Sequence, residues 1–553
     1  MRDARAASIF TPTGPEALFA VHRAVPIARR CDATILLGRA GLQRLDETSS
    51  ELRHVELDIV ADEIATGAAN ELVAVNLTPI SARVDRYTFD GDAFVCVGSD
   101  PPIIFESADD DVVVLSDPSG AVTFWQHSRT SVRRLGRSEQ SGFTPSSWST
   151  SVRTGEYVAA CTGSHVALVE DRGPAGLHTR VVRIRSGHDD AGTEIDGAGP
   201  VIADNALVVP SPADRDAASP AGIHVFRPSR TDFIPTPGPV DDVGGGSGQI
   251  LVSVFTGTNA EVFRVRSDEA DLERIEVPSG RKTLAPNSAV LAAQGYDNVL
   301  HLVDAVGVDA TSKPRRADRT PPPLLIRRTA AAVRGTVVHL HGGPEAFEIP
   351  EPRLIGLPRY ASDTGWDWIG LNYPGSLYPN TEWVSRPWKA WRQAIRADID
   401  RAIAAARGPV VLAGWSFGAA VAVAGASVSD RVIGLVIGGV TGALREHANR
   451  AVAMDPAHGL WFDRRFDLAG DDGRFFDGIS GYNSKARVLA FHGVNDAHCP
   501  VDLADEVAEA WSNRGNPWQS IRLPGGQHYA STEADAALIA SETQKFLATV
   551  GAH

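Results

Sequence analysis

The sequence predicts two domains of different fold class, an all-β propeller followed by a doubly wound, mostly parallel α/β sheet. Short apolar runs that end in turn residues fill the first part of the chain, and apolar strands alternate with amphipathic helical segments in the second part. A length of 553 residues also exceeds the roughly 50 to 250 residues of one ordinary domain. We expect an N-terminal extension at residues 1–25, a propeller at 26–310, a linker at 311–335 and an α/β domain at 336–553.

The predicted propeller is built from short strands. Runs such as ELVAVNLTP, DVVVLSDPSG and QILVSVFTG are rich in Val, Leu and Ile and end in Gly, Asp, Ser or Pro. Residues 154–169, 249–265 and 287–303 share one plan of turn, strand, short turn and strand. Because a four-stranded blade takes roughly 40 to 50 residues, this region would hold six or seven blades. An irregular array of β-sandwiches is the alternative.

A Pro- and Arg-rich stretch at residues 309–329 has no apolar periodicity and predicts a crossing between domains. Beyond it, apolar strands are predicted in TVVHLHGG, DWIGLNYP, PVVLAGWS, VIGLVIGG, RVLAFHG and QSIRLPGG, with helical segments between them, such as residues 388–406. Alternating strands and helices predict a mostly parallel sheet that is covered on both faces. Ligand chemistry is then expected at the carboxyl ends of its strands.

Composition and charge exclude several classes of partner. Hydrophobic residues make up 43% and charged residues 22%, which is typical of a globular protein, and the net charge of −15 argues against nucleic-acid or anionic-membrane partners. We expect a soluble cytoplasmic protein, because no secretion signal and no run of about eighteen apolar residues occurs. A homo-oligomer remains open.

The cysteines predict neither a disulfide framework nor a metal site. They are few and lie far apart in sequence, without the paired spacing of a zinc site. They are Cys31, Cys96, Cys161 and Cys499. We expect buried thiols in a reducing compartment, no cofactor and no metal dependence.

A Gly-x-Ser-x-Gly motif lies between a predicted strand and a run of small residues that favours a helix. Gly414 and Gly418 flank Ser416 in VVLAGWSFGAAVAVAGA. In a strand-turn-helix context the motif predicts a nucleophile elbow, where the glycines permit a sharp turn that holds the serine oxygen above the sheet. Ser416 is therefore the candidate nucleophile.

Two further polar residues follow Ser416 at successive predicted strand ends. Asp496 lies in LAFHGVNDAHCPVD and His528 in IRLPGGQHYA. A serine hydroxyl requires an imidazole to take its proton and a carboxylate to fix the imidazole's tautomer. Taken singly, Asp496 is better explained as a helix cap and His528 as a surface or core histidine. Their order after the serine is that of an α/β-hydrolase, and it predicts a Ser416–Asp496–His528 triad.

The stretch HLHGGPEAF at residues 339–347 ends an apolar strand abruptly, because Gly-Gly-Pro cannot continue a ladder. In acyl transfer the carbonyl oxygen becomes an oxyanion, which fixed N–H donors stabilise. One predicted donor is the amide of Phe417, and the other is an amide of this turn, with Gly343 favoured. The ring of His341 is either an alternative donor or a space-filling group.

These motifs resemble the prolyl oligopeptidase family of serine peptidases, in particular its acylaminoacyl-peptidase and dipeptidyl-peptidase branches. HGGP, NYPGS, GWSFGA, HGVNDAHCP and GGQHY carry the resemblance over residues 336–553, and over the amino-terminal half it rests on architecture alone. It implies Ser416 as nucleophile, Asp496 as acid and His528 as base, with Tyr373 near the substrate. It also implies a propeller that screens the active site and admits only small peptides.

Two departures from the family pattern concern specificity. Pro374 stands where the family has Arg in Tyr-Arg-Gly-Ser, and His498 stands two residues after the acid, where an Arg or Asn often holds a substrate carbonyl. A neutral imidazole lacks the guanidinium fork, so substrate anchoring differs. The family builds part of its substrate pocket in the region of residues 441–485. Trp461 and Phe462 are candidates to line that pocket, and the alternative is that they form local core.

Three functions remain open at this stage. The first is a serine peptidase that acts on short peptides, and the second is an esterase or a peptide-processing or cyclising acyltransferase with the same triad. The triad handles esters, amides and competing nucleophiles alike, so the sequence does not separate these two. The third is a β-propeller interaction protein with a degenerate hydrolase half, which retains binding when Ser416 is replaced by Ala.

Overall fold

The computed structural model describes residues between Ser8 and Val550, with gaps. Residues 1–7 and 551–553 lie outside the described residues, and gaps of one to five residues separate many of the elements. The longer gaps are residues 11–24, 56–62, 105–110, 172–179, 212–220, 313–323, 352–357, 377–387, 455–465 and 467–484.

The described part of the amino-terminal half consists of short antiparallel strands. In chain order they are β1 (Ser8–Phe10), β2 (Val25–Arg30), β3 (Ala33–Gly38), β4 (Gly41–Asp46), β5 (Glu51–His54), β6 (Glu63–Thr66), β7 (Glu71–Thr78), β8 (Ser81–Phe89), β9 (Phe94–Ser99), β10 (Ile103–Ile104), β11 (Asp111–Ser116), β12 (Val122–His127), β13 (Ser131–Glu139), β14 (Gly142–Pro145), β15 (Ser149–Ser151), β16 (Glu156–Cys161), β17 (His165–Asp171), β18 (Arg180–Ser186), β19 (Thr193–Gly197), β20 (Val201–Ala203), β21 (Ala206–Ser211), β22 (Gly222–Arg227), β23 (Arg230–Pro235), β24 (Val240–Gly246), β25 (Gln249–Phe255), β26 (Ala260–Arg266), β27 (Leu272–Ile275), β28 (Arg281–Leu284), β29 (Val290–Gln294), β30 (Leu300–Asp304) and β31 (Ala310–Ser312). A 3₁₀ turn, Ala305–Gly307, follows β30.

These strands form seven sheets within the described residues, which are the blades of a propeller. Strands that are neighbours in sequence pair as hairpins, as in β20 and β21, which a two-residue turn joins. The turn residues Asp204 and Asn205 have φ values of 47° and 60°, a left-handed conformation that Asp and Asn tolerate better than most residues. The blades are β2–β5, β6–β10, β11–β15, β16–β19, β20–β23, β24–β27 with β31, and β28–β30 with β1.

The seventh blade joins the two ends of the propeller chain. Ser8–Phe10 pairs antiparallel with β30, so this strand completes the blade that β28, β29 and β30 begin. It falls inside the predicted N-terminal extension, and that boundary is corrected here. The pairing is between residues about 290 positions apart in sequence, for example Ser8 and Leu302, so no local pattern indicates it.

An apolar cluster lies between each blade and the next. Ile35, Leu72 and Phe89 pack between the first and second blades, while Leu36 and Leu300 pack between the first and the seventh. Similar clusters occupy the remaining five boundaries. Full burial of such a side chain contributes roughly 1.5 to 3 kcal/mol, so these contacts close and stabilise the ring.

The second half contains one seven-stranded sheet within the described residues, flanked by helices. Its strands are β32 (Leu324–Arg327), β33 (Gly335–Leu340), β34 (Trp366–Leu371), β35 (Val410–Trp415), β36 (Val432–Gly438), β37 (Arg487–Gly493) and β38 (Trp518–Leu523). Its helices are α1 (Pro358–Asp363), α2 (Trp388–Ala405), α3 (Phe417–Gly425), α4 (Leu444–Met454), α5 (Val501–Ser512) and α6 (Glu533–Val550). None of the helices in the described part of the chain has the length and apolar character needed to cross a membrane.

The strand order is β32-β34-β33-β35-β36-β37-β38, with β32 antiparallel and the others parallel. This confirms the predicted doubly wound sheet. Two elements of the predicted linker, β32 and Gly335 at the start of β33, belong to this sheet, while Ala310–Ser312 pairs with β27 of the propeller. The predicted linker is therefore longer than the unpaired connection, because both of its ends join sheets.

Alternate residues of the central strands face two apolar layers. Leu412 lies in the layer with α2, α3 and α5, and its neighbours Val411 and Ala413 lie in the layer with α1 and α6. Every residue of β33, β34 and β35 is buried, as expected for a parallel sheet covered on both faces. Because β33 to β38 pair in parallel, their carboxyl ends all lie at one edge of the sheet.

Contacts between the two halves involve residues 348–351, which follow the predicted oxyanion turn. Ile349 is fully buried against Phe255 and Ala260 of the propeller. The amide of Arg281 donates to the carbonyl of Pro350 at 3.1 Å. The segment is therefore held by the propeller on one side and by the α/β sheet on the other.

Candidate active site

The predicted site residues lie at the carboxyl ends of the parallel strands. Ser416 directly follows β35, Asp496 follows β37 and His528 follows β38. The turn that contains Gly343 follows β33, which pairs with β35. Because these strands are parallel and in register, the sheet brings the four positions to one edge.

Ser416 occupies a strained turn that the two flanking glycines make possible. Its φ of 59° and ψ of −127° lie outside the regions that non-glycine residues commonly adopt. A Cβ on Gly414 would lie 2.5 Å from the carbonyl oxygen of Gly418, and one on Gly418 would lie 2.1 Å from that of Leu340. Only glycine allows these approaches, so the motif is required by the packing of the turn.

The buried Asp496 pairs with the partly buried His528. The Nδ1 atom of His528 lies 2.9 Å from Oδ2 and 3.1 Å from Oδ1 of Asp496. A carboxylate only accepts hydrogen bonds, so Nδ1 carries the proton and Nε2 is left to accept one. Burial opposes ionisation of Asp496, but its hydrogen bond with His528 and the amide of Cys499 together lower the pKa of its carboxyl below the usual value. Asp496 is therefore ionised at neutral pH.

Backbone and ring contacts fix this pair in place. The amide of Cys499 donates to Oδ1 of Asp496 at 2.8 Å. His492 Nε2 lies 2.7 Å from the carbonyl oxygen of Cys499, and burial lowers the pKa of His492 so that it stays neutral. The indole N–H of Trp415 donates to the carbonyl of His528 at 2.5 Å, which ties the histidine loop to the residue before Ser416.

The Gly-Gly-Pro turn lies against the nucleophile elbow. A Cβ on Gly342 would lie 3.1 Å from the carbonyl oxygen of Trp415 and 3.5 Å from Cβ of Ser416. Nδ1 of His341 lies 2.8 Å from the carbonyl oxygen of Gly342. The N–H of Gly343 belongs to the same trans peptide, so it points away from the His341 ring. With a φ of 112°, Gly343 also has a backbone conformation that favours glycine.

Phe417 is the first residue of α3, where backbone amides point out of the amino-terminal end of a helix. The amide of Phe417 thus lies at the amino-terminal end of α3, directly after Ser416. The ring of Phe417 stacks on those of Tyr373 and Phe466, with centroids 6.0 Å and 5.6 Å apart. These contacts pack the first residue of α3 against the rings of Tyr373 and Phe466.

Tyr373 lies beneath the Gly-Gly-Pro turn. It is buried, its hydroxyl donates to the carbonyl of His341 at 2.5 Å, and its ring stacks on the His341 ring. Nε2 of His341 lies 2.6 Å from the hydroxyl oxygen of Ser376. The family resemblance places Tyr373 near the substrate, and that stays a prediction; these contacts support the turn.

His498 is exposed, with its ring centroid 5.1 Å from that of His528. It therefore lies at the mouth of the site, beside the candidate base. Trp461 and Phe462, the predicted pocket residues, lie outside the described residues. Phe466, a few positions further on, is fully buried and packs edge-on against Trp391.

The thiol of Cys499 is a further group at this edge. It is buried, and burial and the charge of Asp496 raise the pKa of the thiol. One ligand atom each from Asp496, Cys499 and His528 lies within 4.8 Å of the others. The sequence indicated no metal-ligand cluster. Asp496 and Cys499 are close in sequence, but only tertiary structure brings His528 to them.

Sequence reasoning gave no role to Trp415, Ser376, His492 or Cys499. All four lie inside the quoted motifs GWSFGA, NYPGS and HGVNDAHCP. The motifs marked the right segments, but only the side-chain contacts distinguish the supporting residues from the residues between them.

Comparisons with known proteins agree with this architecture. Residues 337–550 match the family described as "Alpha/beta hydrolase family". A Mycobacterium tuberculosis puromycin-hydrolyzing peptidase is similar over 99% of this chain and 97% of its own, with 16% identity and a TM-score of 0.62. A Pyrococcus horikoshii acylaminoacyl peptidase is similar over 96% of both chains, with 12% identity and a TM-score of 0.64. No curated protein sequence matches the chain.

A puromycin hydrolase is similar over 98% of this chain and 96% of its own, with 14% identity and a TM-score of 0.63. These neighbours are prolyl oligopeptidase-family peptidases, so the predicted resemblance is confirmed. The chain has the propeller and α/β-hydrolase fold of the prolyl oligopeptidase family, with residues 337–550 as its α/β-hydrolase region.

Proposed function

We propose that this chain is a serine peptidase that hydrolyses short peptides through an acyl-enzyme on Ser416. One observation carries the proposal: the paired Asp496 and His528 lie at the same sheet edge as the strained Ser416, and the indole of Trp415, the residue before Ser416, donates to the carbonyl of His528. Strained backbone at a sheet edge, together with an oriented imidazole, is the arrangement that serine nucleophiles require.

In the first half of the reaction, Oγ of Ser416 attacks the substrate carbonyl and His528 takes its proton at Nε2. Asp496 keeps the proton of the ring on Nδ1 and stabilises the imidazolium that forms. The amides of Gly343 and Phe417 donate to the oxyanion, and one such donor is worth roughly 3 kcal/mol in the transition state. The C–N bond of the substrate then breaks, and His528 gives its proton to the leaving amine. The acyl group stays bonded to Oγ of Ser416.

In the second half, water attacks the acyl group and His528 takes its proton. The bond between the acyl carbon and Oγ of Ser416 then breaks, and His528 returns the proton to Oγ, which releases the product acid and restores Ser416. An amine in place of water would give acyl transfer, and an ester in place of an amide would use the same groups. The esterase and acyltransferase readings therefore remain the alternative, and the nucleophile and leaving group decide between them.

The names of the similar structures favour amide hydrolysis. They include a puromycin-hydrolyzing peptidase and an acylaminoacyl peptidase in complex with the peptide derivative Z-Gly-Gly-Phe-chloromethyl ketone. At 12 to 16% identity these names support a reaction class and leave the residue preference open. We propose short peptides as the substrate class of this chain.

We further propose that the propeller limits the size of the substrate. The contacts of Ile349 and Pro350 hold the propeller against the segment that follows the Gly-Gly-Pro turn. A peptide must therefore reach the sheet edge past a domain that is docked beside it. Turnover per molecule should fall as a peptide series is lengthened at constant sequence around the cleaved bond.

The test is labelling with a fluorophosphonate probe, with the adduct located by mass spectrometry. Ser416→Ala is the key variant and Ser362→Ala, on helix α1 away from the sheet edge, is the matched control. Matched peptide amides and esters are then assayed on the same preparation, with and without an added amine.

Labelling of Ser416 with peptide cleavage supports the peptidase. Labelling with ester turnover alone, or with amine products in preference to hydrolysis, supports the alternative. If wild type remains unlabelled, or if Ser416→Ala retains turnover, the proposed mechanism is wrong.

A further inference from the structure

The proposed reaction leaves one reactive group at the site without a task, the thiol of Cys499. It is 2% exposed and lies in one cluster with Asp496 and His528. Of the other cysteines that the structure describes, Cys96 is exposed on β9 and Cys161 is buried in β16, both in the propeller. Cys499 therefore adds a soft sulfur ligand to a nucleophile, an imidazole and a carboxylate.

The ligand atoms of Asp496, Cys499 and His528 lie within 4.8 Å of one another, and the histidine and aspartate atoms are only 2.9 Å apart. In a tetrahedral zinc site with bonds of about 2.0 to 2.3 Å, the ligand atoms are roughly 3.4 to 3.6 Å apart. The three groups thus require shifts of about 1 Å to surround one ion, which side-chain rotation can supply.

We propose that a thiophilic divalent cation, Zn²⁺ or Cd²⁺, binds to Cys499, His528 and Asp496 and inhibits the enzyme. This inference rests on the proposed function, because it uses the same histidine and aspartate. The thiol releases its proton to solvent as the sulfur–metal bond forms. The Ser416 hydroxyl or a water completes the four-coordinate site.

The bound ion would inhibit the enzyme because it occupies groups that the proposed reaction uses. A metal on either ring nitrogen of His528 prevents that ring from accepting the Ser416 proton or from keeping its hydrogen bond to Asp496. The ion would also lie beside the Ser416 hydroxyl, where the substrate carbonyl has to enter. Mg²⁺ and Ca²⁺ prefer oxygen ligands and should not compete for a site with sulfur and imidazole.

The exposed His498 offers a competing explanation, because its ring is 5.1 Å from that of His528. Two histidines at the mouth of the site could bind Zn²⁺ without the thiol. The thiol and the second imidazole lie on different residues, so two variants, Cys499→Ala and His498→Ala, separate the explanations.

The experiment measures peptide turnover and fluorophosphonate labelling of Ser416 against ZnCl₂, CdCl₂ and MgCl₂, with reversal by a chelator. Each variant is compared with its own metal-free rate. We expect Cys499→Ala to raise the inhibitory zinc concentration by at least about 10-fold, because loss of even an outer-shell partner of a metal ligand typically costs about 10- to 100-fold in affinity. Cys96→Ala, which removes an exposed thiol of the propeller, should leave the inhibitory concentration unchanged, and MgCl₂ should have no effect.

The proposal is overturned if Cys499→Ala is inhibited at the wild-type zinc concentration, or if His498→Ala alone removes inhibition. Direct titration of Zn²⁺ into Ser416→Ala protein, with and without Cys499→Ser, tests binding even where turnover is low. Binding that does not depend on Cys499 would also refute the site. Metal-free labelling and turnover report on the proposed function separately, so each hypothesis can fail without the other.

Discussion

The propeller and the α/β domain each bury a carboxylate with a basic partner, but the two pairs have different surroundings. In the fourth blade, Glu156 pairs with Arg183, and their side chains are 1% and 4% exposed. At the edge of the α/β sheet, Asp496 pairs with His528, and their side chains are 0% and 12% exposed. The first pair joins two strands of one blade, whereas the second lies where strands end and substrate can approach.

A third buried carboxylate, in the α/β domain, shows that the choice of domain does not explain the different surroundings of the first two pairs. Asp367, near the start of β34, is fully buried and takes both Arg407 and Arg328 as partners. It lies at the amino end of a parallel strand, opposite the edge that carries Ser416. We infer that position relative to the carboxyl ends of the strands separates the pair proposed for catalysis from the pairs that serve stability.

The largest expected effect is on the pair at the strand ends. Asp496→Asn keeps the size of the side chain but no longer fixes the tautomer of His528, so kcat should fall roughly 10⁴-fold. Steady-state assays with a short peptide measure this change in kcat. Asp505→Asn, which loses an exposed ion pair with Arg522 in the same domain, is the control and should stay near the wild-type rate. A fall of less than tenfold for Asp496→Asn would contradict the expectation that this pair, unlike the blade pair, controls turnover.

The blade pair should affect stability instead. Glu156→Gln leaves the Arg183 guanidinium buried without a counter-charge, which should lower the free energy of unfolding of the propeller by about 3 to 5 kcal/mol. Denaturant unfolding, followed by a signal from the propeller, measures this change. Turnover per folded molecule should be unchanged.

The control for this variant lies in the same blade. Glu194→Gln removes an exposed pair with Arg153 and should cost less than about 1 kcal/mol. Equal losses for Glu156→Gln and Glu194→Gln would show that burial is not the source of the effect.

The third pair predicts an acid-dependent loss of stability. Burial opposes ionisation of Asp367, but its bonds to Arg407 and Arg328 lower its pKa to about 2. A carboxyl with a lowered pKa stabilises the fold above its unfolded value near 4, and that contribution is lost as pH falls from about 4 to about 2. Because both arginines are partly exposed, we expect roughly 1 to 2 kcal/mol.

Thermal unfolding of wild type and Asp367→Asn over this pH range measures that contribution. The difference between their midpoints should be largest above pH 4 and should shrink below it. A difference that stays constant from neutral pH to pH 2 would mean that the ionised carboxylate is not the stabilising species.

The smallest expected effect concerns the support of the oxyanion turn. Tyr373→Phe removes the hydroxyl that donates to His341, and a hydrogen bond of about 1 to 1.5 kcal/mol corresponds to roughly a tenfold lower kcat. KM should change little. Tyr360→Phe, another buried tyrosine of the same domain, is the control. A raised KM with unchanged kcat would instead assign Tyr373 to substrate binding, as the family resemblance implies.

Much of the fold and the candidate site could be predicted because their signals are local. The glycines beside Ser416 are required by contacts within a few residues of the turn and with the neighbouring strand. Short strands with turn residues predicted the propeller, since each blade is a chain of hairpins. The order of Ser416, Asp496 and His528 predicted a shared edge because parallel strands end on the same side.

The sequence by itself therefore determined the two fold classes, the nucleophile elbow and the segments that meet at the sheet edge. Tertiary structure alone decided that Ser8–Phe10 closes the seventh blade, that Tyr373 lies beneath the Gly-Gly-Pro turn and that His528 lies in one cluster with Asp496 and Cys499. These contacts join residues far apart in the chain, and their geometry depends on how sheets and helices pack. Local periodicity and spacing in the sequence do not predict such contacts, because their free energy depends on the packing of the assembled fold.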